Sequence, residues 1–98
     1  MMTLQDFKNS LEDIKPPENI QDTLKALWYD GQENWEMAHD IAQEIHDSNG
    51  SWIHAYLHRK EGDRWNANYW YQRAGRSMPA ISLREEWEQI VSELLGEL

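Results

Sequence analysis

The dipeptide Gly62-Asp63 divides a stretch, Ser51 to Arg76, that is rich in aromatic, histidine and basic residues. Glycine is favoured just past the end of a helix, and aspartate is favoured at the residue that caps the start of the next. The pair therefore predicts a tight corner between two helices. The stretch holds three of the six tryptophans, two of the four histidines and five of the nine basic residues. We expect any working surface of the protein to lie here.

Elsewhere in the chain apolar residues recur every three or four positions, which is typical of amphipathic helices. The residues with this period are Leu4, Phe7, Leu11 and Ile14; Ile20, Leu24, Leu27 and Trp28; Trp35, Ala38, Ile41, Ala42 and Ile45; and Leu83, Trp87, Ile90, Val91 and Leu94. Pro16-Pro17 should end the first helix and begin the second, Gly31 should end the second, and Asp47–Gly50 has the composition of a turn. Ser82 and Glu85 form a capping box that predicts the start of the last helix.

These patterns predict an all-α fold of six helices, joined by short connections that make neighbouring helices antiparallel. No long segment alternates polar and apolar residues with a period of two, so no strand is expected. We assign residues 1–98 to a single domain. It would consist of an N-terminal helical pair at 1–31, repeat-like hairpins at 32–79 and a C-terminal capping helix at 80–98.

The composition excludes several classes of protein. The chain has 98 residues and no cysteine, so disulfides and thiolate metal sites are excluded. No segment approaches the ~20 apolar residues of a membrane span, and we predict no membrane partner. The first residues, Met1 to Lys15, include acidic side chains and no apolar block, unlike a secretory signal. We therefore expect a cytoplasmic protein.

The charge is strongly negative but unevenly distributed. The net charge of −9 argues against nucleic acid as a partner. Residues 58–84 nevertheless carry six Lys and Arg against two Asp and Glu, so a basic segment lies between acidic flanks. Two interpretations stay open: the segment binds an acidic partner, or it pairs with the acidic flanks of its own chain.

Two segments can be aligned at an offset of 29 residues, Asn34–Ala38 on Asp63–Ala67. In each, a capping residue precedes an alanine by four positions, and an apolar or aromatic residue follows that alanine by four. Repeats of about this length are typical of stacked helical hairpins. With Glu61-Gly62-Asp63, Ala67, Tyr71, Ala74 and Pro79, the chain resembles tetratricopeptide and Sel1-like repeats. The resemblance implies tetratricopeptide-like hairpins, with small alanines admitting a neighbouring helix.

The resemblance spans residues 23–79 and is weaker in the first helix of the repeat. Where the family usually has Trp, Leu, Gly and Tyr, this chain has Ser51, His54, Ala55 and His58. The strings WIHAYLHRKEGD and NANYWY also resemble a family of short uncharacterised bacterial and fungal proteins. That second resemblance implies no activity.

In tetratricopeptide-like folds the first helices line a concave surface that binds extended peptides. The resemblance would place Trp52, Tyr56, Arg59 and Lys60 on that surface, and this composition is typical of binding hot spots. The two cations would suit an acidic segment or a terminal carboxylate. The alternative is that Trp52 and Tyr56 are core residues, with the cations at the rim.

Three histidines are candidate metal ligands. His54 and His58 are four residues apart, so they share one face of a helix and their spacing suits chelation of a divalent metal. A third ligand would come from His39 on the neighbouring helix, or from Glu61. The alternative is that the imidazoles are packing residues whose partners would be Asn66, Asn68 and Tyr71.

Trp65 and Tyr69 lie off the face that the alanines define, and if both are exposed they predict a homodimer surface. No catalytic nucleophile motif or glycine-rich phosphate loop is present in the sequence. The sequence therefore predicts a non-catalytic module that binds a protein or peptide and needs no cofactor. The alternative is a binding protein or an enzyme that holds a metal or small molecule through His39, His54 and His58.

Overall fold

The computed structural model describes residues 1–96, and they form six α-helices with no strand among them. The helices are α1 (Leu4–Ser10), α2 (Asp22–Gly31), α3 (Trp35–Gln43), α4 (Ser48–Lys60), α5 (Arg64–Arg73) and α6 (Leu83–Leu95). The predicted all-α class is confirmed. The last two residues of the predicted capping segment 80–98 lie outside the described part of the chain.

Most helix starts are fixed by local capping, as the sequence indicates. Thr3 with Asp6, and Ser82 with Glu85, form reciprocal capping boxes. At the corner between α4 and α5, Gly62 has a φ of 90°, and the Asp63 side chain accepts a bond from the backbone N–H of the third residue after it. The predicted corner is therefore present.

The connection between α1 and α2 is longer than the sequence predicts. The first helix ends at Ser10, because the side-chain amide of Gln32 donates to the carbonyl oxygens of Leu11 (2.8 Å) and Asp13 (2.9 Å) and holds this segment as a loop. The second helix begins at Asp22 and not near Pro17, because Asn19 has a φ of 64°, which a helix does not allow.

The predicted turn at Asp47–Gly50 is mostly the first turn of α4. Asp47 caps the helix by accepting a bond from the backbone N–H of Gly50 at 2.9 Å, and Ser48 is already helical. Residues favoured in turns are also favoured at helix starts, so composition alone does not separate the two.

The central helix is α4, in which eight consecutive residues, Gly50 to Leu57, are buried. It packs against α2, α3, α5 and α6. Ala38 and Ala67 are fully buried and admit the neighbouring helices, while Ala74 caps α5 and is half-buried. The pairs α2–α3 and α4–α5 are hairpins in contact. This is compatible with the tetratricopeptide-like arrangement, which stays a prediction.

Two carboxylates are buried in the core, and each of their oxygens accepts at least one hydrogen bond. Glu86 of α6 accepts bonds from Trp52 (3.2 Å), Arg59 (2.8 Å) and Tyr71 (2.7 Å). Asp30 of α2 accepts bonds from the Tyr56 hydroxyl and the Lys60 ammonium. Each carboxylate thus ties α4 to another helix by charge-assisted bonds.

None of the six helices within residues 1–96 has the length and apolar character needed to cross a bilayer.

Candidate functional site

Three histidines from two helices meet on one side of α4. His54 and His58 lie one turn apart on α4, and His39 reaches them from α3. The Nε2 atoms of His39 and His54 are 2.9 Å apart. One suitable nitrogen from each of the three rings lies within 4.8 Å of the others. The structure therefore brings together the three residues that the sequence proposed as metal ligands. We call them the histidine cluster.

Two tryptophan rings stack on imidazoles of the histidine cluster. Trp35 stacks on His39 with ring centres 4.9 Å apart, and Trp70 stacks on His54 at 4.0 Å. The indole N–H of Trp35 donates to the Leu57 carbonyl oxygen at 2.8 Å, so that ring is itself fixed to α4. The orientations of both imidazole rings are therefore fixed without a ligand, which lowers the conformational entropy that binding would cost.

A carboxylate orients the third imidazole. Nδ1 of His58 lies 3.0 Å from Oε2 of Glu61, one turn further along the chain. A bond to a carboxylate at Nδ1 leaves Nε2 as the free coordinating nitrogen, as in carboxylate–histidine–metal arrangements. Asp63 lies near the same pair, but its carboxylate already caps α5 through Asn66. Glu61 is therefore the positioning carboxylate and Asp63 is a structural one.

Two members of the histidine cluster, His39 and His54, are held neutral near neutral pH. Burial, reinforced by the charges that His39 and His58 carry when protonated, lowers the pKa of His54 from 6.5 to about 4. Burial and neighbouring His58 also lower the pKa of His39, against smaller opposing effects of Asp40 and Glu61. A metal ion binds the neutral form of imidazole, so His39 and His54 are in the form suited to coordination at pH about 7.

Lowering the pH from 6.5 toward 4 is expected to reduce the free energy of unfolding through His54. In this interval the unfolded chain protonates His54, whereas the fold keeps it neutral down to about pH 4. The unfolded state then binds more protons, so this contribution to stability is complete above pH 6.5 and is lost as the pH falls. The measurement is urea unfolding, followed by circular dichroism, over a series of pH values.

The matched variants for this test are His54→Phe and His46→Phe. The first removes the titrating ring and keeps an aromatic side chain against Trp70, so its stability should depend less on pH in this interval. His46 is exposed and lies outside the histidine cluster, so its variant should retain the dependence of the native protein. Equal slopes in all three proteins would contradict the prediction.

The predicted partner surface does not form one open patch. Trp52 and Tyr56 are buried, as in the alternative core interpretation. Arg59 is bonded to Glu86 and to the Ile81 carbonyl oxygen, and Lys60 is bonded to Asp30 and Glu33. The physical reason is that α4 is covered on several sides, and these four side chains form hydrogen bonds to Asp30 of α2 and Glu86 of α6. Binding of a partner by these four residues stays a prediction.

Two aromatic residues of α5, Trp65 and Tyr69, are exposed, which meets the condition for the homodimer surface that the sequence predicts. Trp65 is 77 % exposed and Tyr69 is 46 % exposed, and their rings lie nearly parallel with centres 6.4 Å apart. Arg73 lies over the ring of Tyr69 at 5.8 Å. A homodimer through this surface stays a prediction.

The sequence patterns did not predict the tryptophans that stack on the histidine cluster or the buried carboxylate of Glu86. For Trp35 a signal existed, since it precedes His39 by four residues and side chains at this spacing meet on a helix. For Trp70 and Glu86 the contacts join different helices, and no local pattern indicates them. The expected imidazole partners Asn66, Asn68 and Tyr71 are replaced by His39 and Glu61.

No family model, curated protein or solved structure matches this chain, so the assignment of a function depends on the site geometry.

Proposed function

We propose that the protein binds a divalent transition metal ion through His39, His54 and His58. The observation that carries this proposal is the convergence of three imidazoles from two helices, with one nitrogen of each within 4.8 Å of the others. Imidazole is a preferred ligand of zinc, copper and nickel, and the absence of carboxylates from this set disfavours magnesium and calcium.

The spacing of the nitrogens is close to what a tetrahedral ion needs. Two nitrogens at about 2.0–2.1 Å from zinc in tetrahedral geometry are roughly 3.3 Å apart. The His39 and His54 Nε2 atoms, at 2.9 Å, lie within hydrogen-bonding distance of each other and would separate slightly to admit the ion. Small rotations of side chains that are already on the correct faces therefore complete the site.

Three protein ligands leave one position of a tetrahedral ion free. This is the pattern of sites in which water or a substrate binds the metal, whereas structural zinc sites use four protein ligands. Neither His39 nor His58 is fully buried, so the fourth position would be open toward the protein surface. The proposed function is thus an accessible metal site in which Glu61 acts as a positioning residue for His58.

Titration of chelator-treated protein with Zn²⁺, followed by calorimetry, tests the proposal. The native chain should bind one ion. His54→Phe should weaken binding by more than the roughly 10–100-fold that loss of an outer positioning group costs, because a ligating nitrogen is removed. Glu61→Ala should weaken it within that roughly 10–100-fold range.

The control is His46→Phe, which removes an exposed histidine outside the histidine cluster and should leave the affinity unchanged. Titration with Cu²⁺ adds a spectroscopic readout, since coordination by imidazole nitrogens produces visible absorption. The proposal fails if the native protein and His54→Phe bind zinc equally, or if His46→Phe causes the larger loss.

A further inference from the structure

A cleft of about 390 Å³ opens where α1, α2, α4 and α6 meet. Its volume lies in the range of small-molecule sites, about 300–1,000 Å³. None of the three histidines of the cluster lines it, so it is independent of the proposed metal site. The sequence analysis did not find it, because its walls come from four separate helices.

The floor of the cleft is apolar. Leu11 and Trp87 lie directly against the α-carbon of Gly31: a β-carbon there would lie 2.8 Å from Leu11 Cδ2 and 3.2 Å from Trp87 Cζ2. The indole N–H of Trp87 donates to the Leu27 carbonyl oxygen at 2.9 Å, which fixes the ring. A ligand of this cleft therefore needs an apolar body to contact the floor.

One group of residues at the cleft is cationic. Lys8 donates to Oε2 of Glu88 at 2.8 Å, and Nε of Arg84 lies 3.6 Å from the same oxygen. Two cations thus share one carboxylate and leave an excess positive charge. The Arg84 side chain is 80 % exposed, and residues 1–96 provide no partner for its terminal nitrogens. Arginine presents such free N–H groups in the geometry that binds a carboxylate.

A second group of residues is anionic. Lys60 lies 2.9 Å from Oδ1 of buried Asp30 and 3.3 Å from Oε2 of exposed Glu33. The Tyr56 hydroxyl donates to the other Asp30 oxygen at 2.7 Å, so each oxygen of Asp30 already has a partner within the protein. One cation among two carboxylates leaves an excess negative charge, and Glu33 is the carboxylate that a ligand can reach.

We infer that the cleft binds a short free peptide, a zwitterion with an apolar side chain. Its terminal carboxylate pairs with Arg84 and Lys8, its terminal ammonium pairs with Glu33, and its side chain covers Leu11 and Trp87. The two groups of charges come from different helices, Lys8 and Arg84 from α1 and α6 and Glu33 from the turn after α2. A ligand with only one charge would leave one group unsatisfied, and the net charge of −9 disfavours simple anions.

The test uses leucyl-leucine and its two blocked forms as probes. N-acetyl-leucyl-leucine lacks the ammonium, and leucyl-leucine amide lacks the terminal carboxylate. Binding is measured by nuclear magnetic resonance titration of the full chain, followed at the Gly31 amide and the Trp87 indole N–H. The free dipeptide should shift both signals, and each blocked form should bind roughly tenfold more weakly, since each loses a bond to a charged group.

Two variants assign each end of the probe. Arg84→Ala should weaken leucyl-leucine about tenfold and leave the amide unchanged, because the amide has no carboxylate to lose. Glu33→Gln should likewise affect the free dipeptide and not the acetylated one. Arg64→Ala is the control, because Arg64 is an exposed arginine that does not line the cleft.

Three outcomes would overturn the inference. One is equal binding of the free and blocked dipeptides, and another is an equal effect of Arg84→Ala on the free dipeptide and its amide. The third is the absence of any shift at Gly31 and Trp87 with millimolar probe. Each of these outcomes is independent of zinc binding, so failure here and failure of the metal site are distinguishable.

Discussion

Replacement of Glu86 with alanine is expected to lower the free energy of unfolding by about 3–5 kcal/mol. Glu86 is only 1 % exposed, and its two oxygens accept bonds from Trp52, Arg59 and Tyr71. Burial, reinforced by the hydrogen bond to Glu86 and by its charge, raises the pKa of the Tyr71 hydroxyl, so Tyr71 stays a hydrogen-bond donor to this carboxylate. Without Glu86, the largely buried guanidinium of Arg59 and the buried donors of Trp52 and Tyr71 lose this hydrogen-bond acceptor. The desolvation cost of each group is then no longer offset.

The matched control is Glu93→Ala on the same helix. Glu93 forms an ion pair with Arg76 at 3.0 Å, but the two side chains are 47 % and 35 % exposed, so water screens the pair and its loss should cost no more than about 1 kcal/mol. Urea unfolding followed by circular dichroism measures both variants. Glu86→Gln should fall between them, because it keeps hydrogen-bonding capacity and loses only the charge. If Glu86→Ala were no less stable than Glu93→Ala, the buried network would not stabilise the fold.

Replacement of Gly50 with alanine is expected to destabilise the protein by about 2 kcal/mol or more, although alanine is the better helix former. Gly50 is in the first turn of α4 and is buried against the preceding loop. A β-carbon there would collide with the carbonyl oxygen of Ile45 and lie 2.7 Å from the Ile45 β-carbon. Backbone cannot rotate away as a flexible side chain can, so α4 or the α3–α4 loop would have to move.

Asn49→Ala provides the control for this prediction, because Asn49 is exposed in the same helical turn. The substitution improves helix propensity without meeting another group, so stability should change by less than about 0.5 kcal/mol or rise slightly. The comparison is made by thermal and urea unfolding of both variants. If the two variants had the same free energy of unfolding, a β-carbon at position 50 would not be in close contact with Ile45.

The histidine cluster shows what the sequence could predict about the site. The four-residue spacing of His54 and His58 was enough to place both rings on one helix face. His39, which with Glu61 was one of two candidates for a third ligand, lies beside them. The tryptophans on either side were not predicted, since Trp70 reaches the cluster only through the packing of α5 on α4.

The proposed partner surface shows where sequence patterns are insufficient. Trp52, Tyr56, Arg59 and Lys60 have the composition of a hot spot, but two are buried and two are bonded to carboxylates of other helices. Their partners, Glu86 and Asp30, lie 27 and 30 residues away in the chain. Composition cannot distinguish a binding surface from a core face when a helix is covered on several sides.

The sequence alone determined the helical class, the main caps and the corner at Gly62-Asp63, because each depends on residues within about one helical turn. It did not determine where α1 ends and where α2 begins, which depend on Gln32 and Asn19. The tertiary structure decided which faces of α4 are covered, that two carboxylates lie in the core, and that a cleft forms among four helices. These features depend on contacts between distant residues, and only packing brings them together.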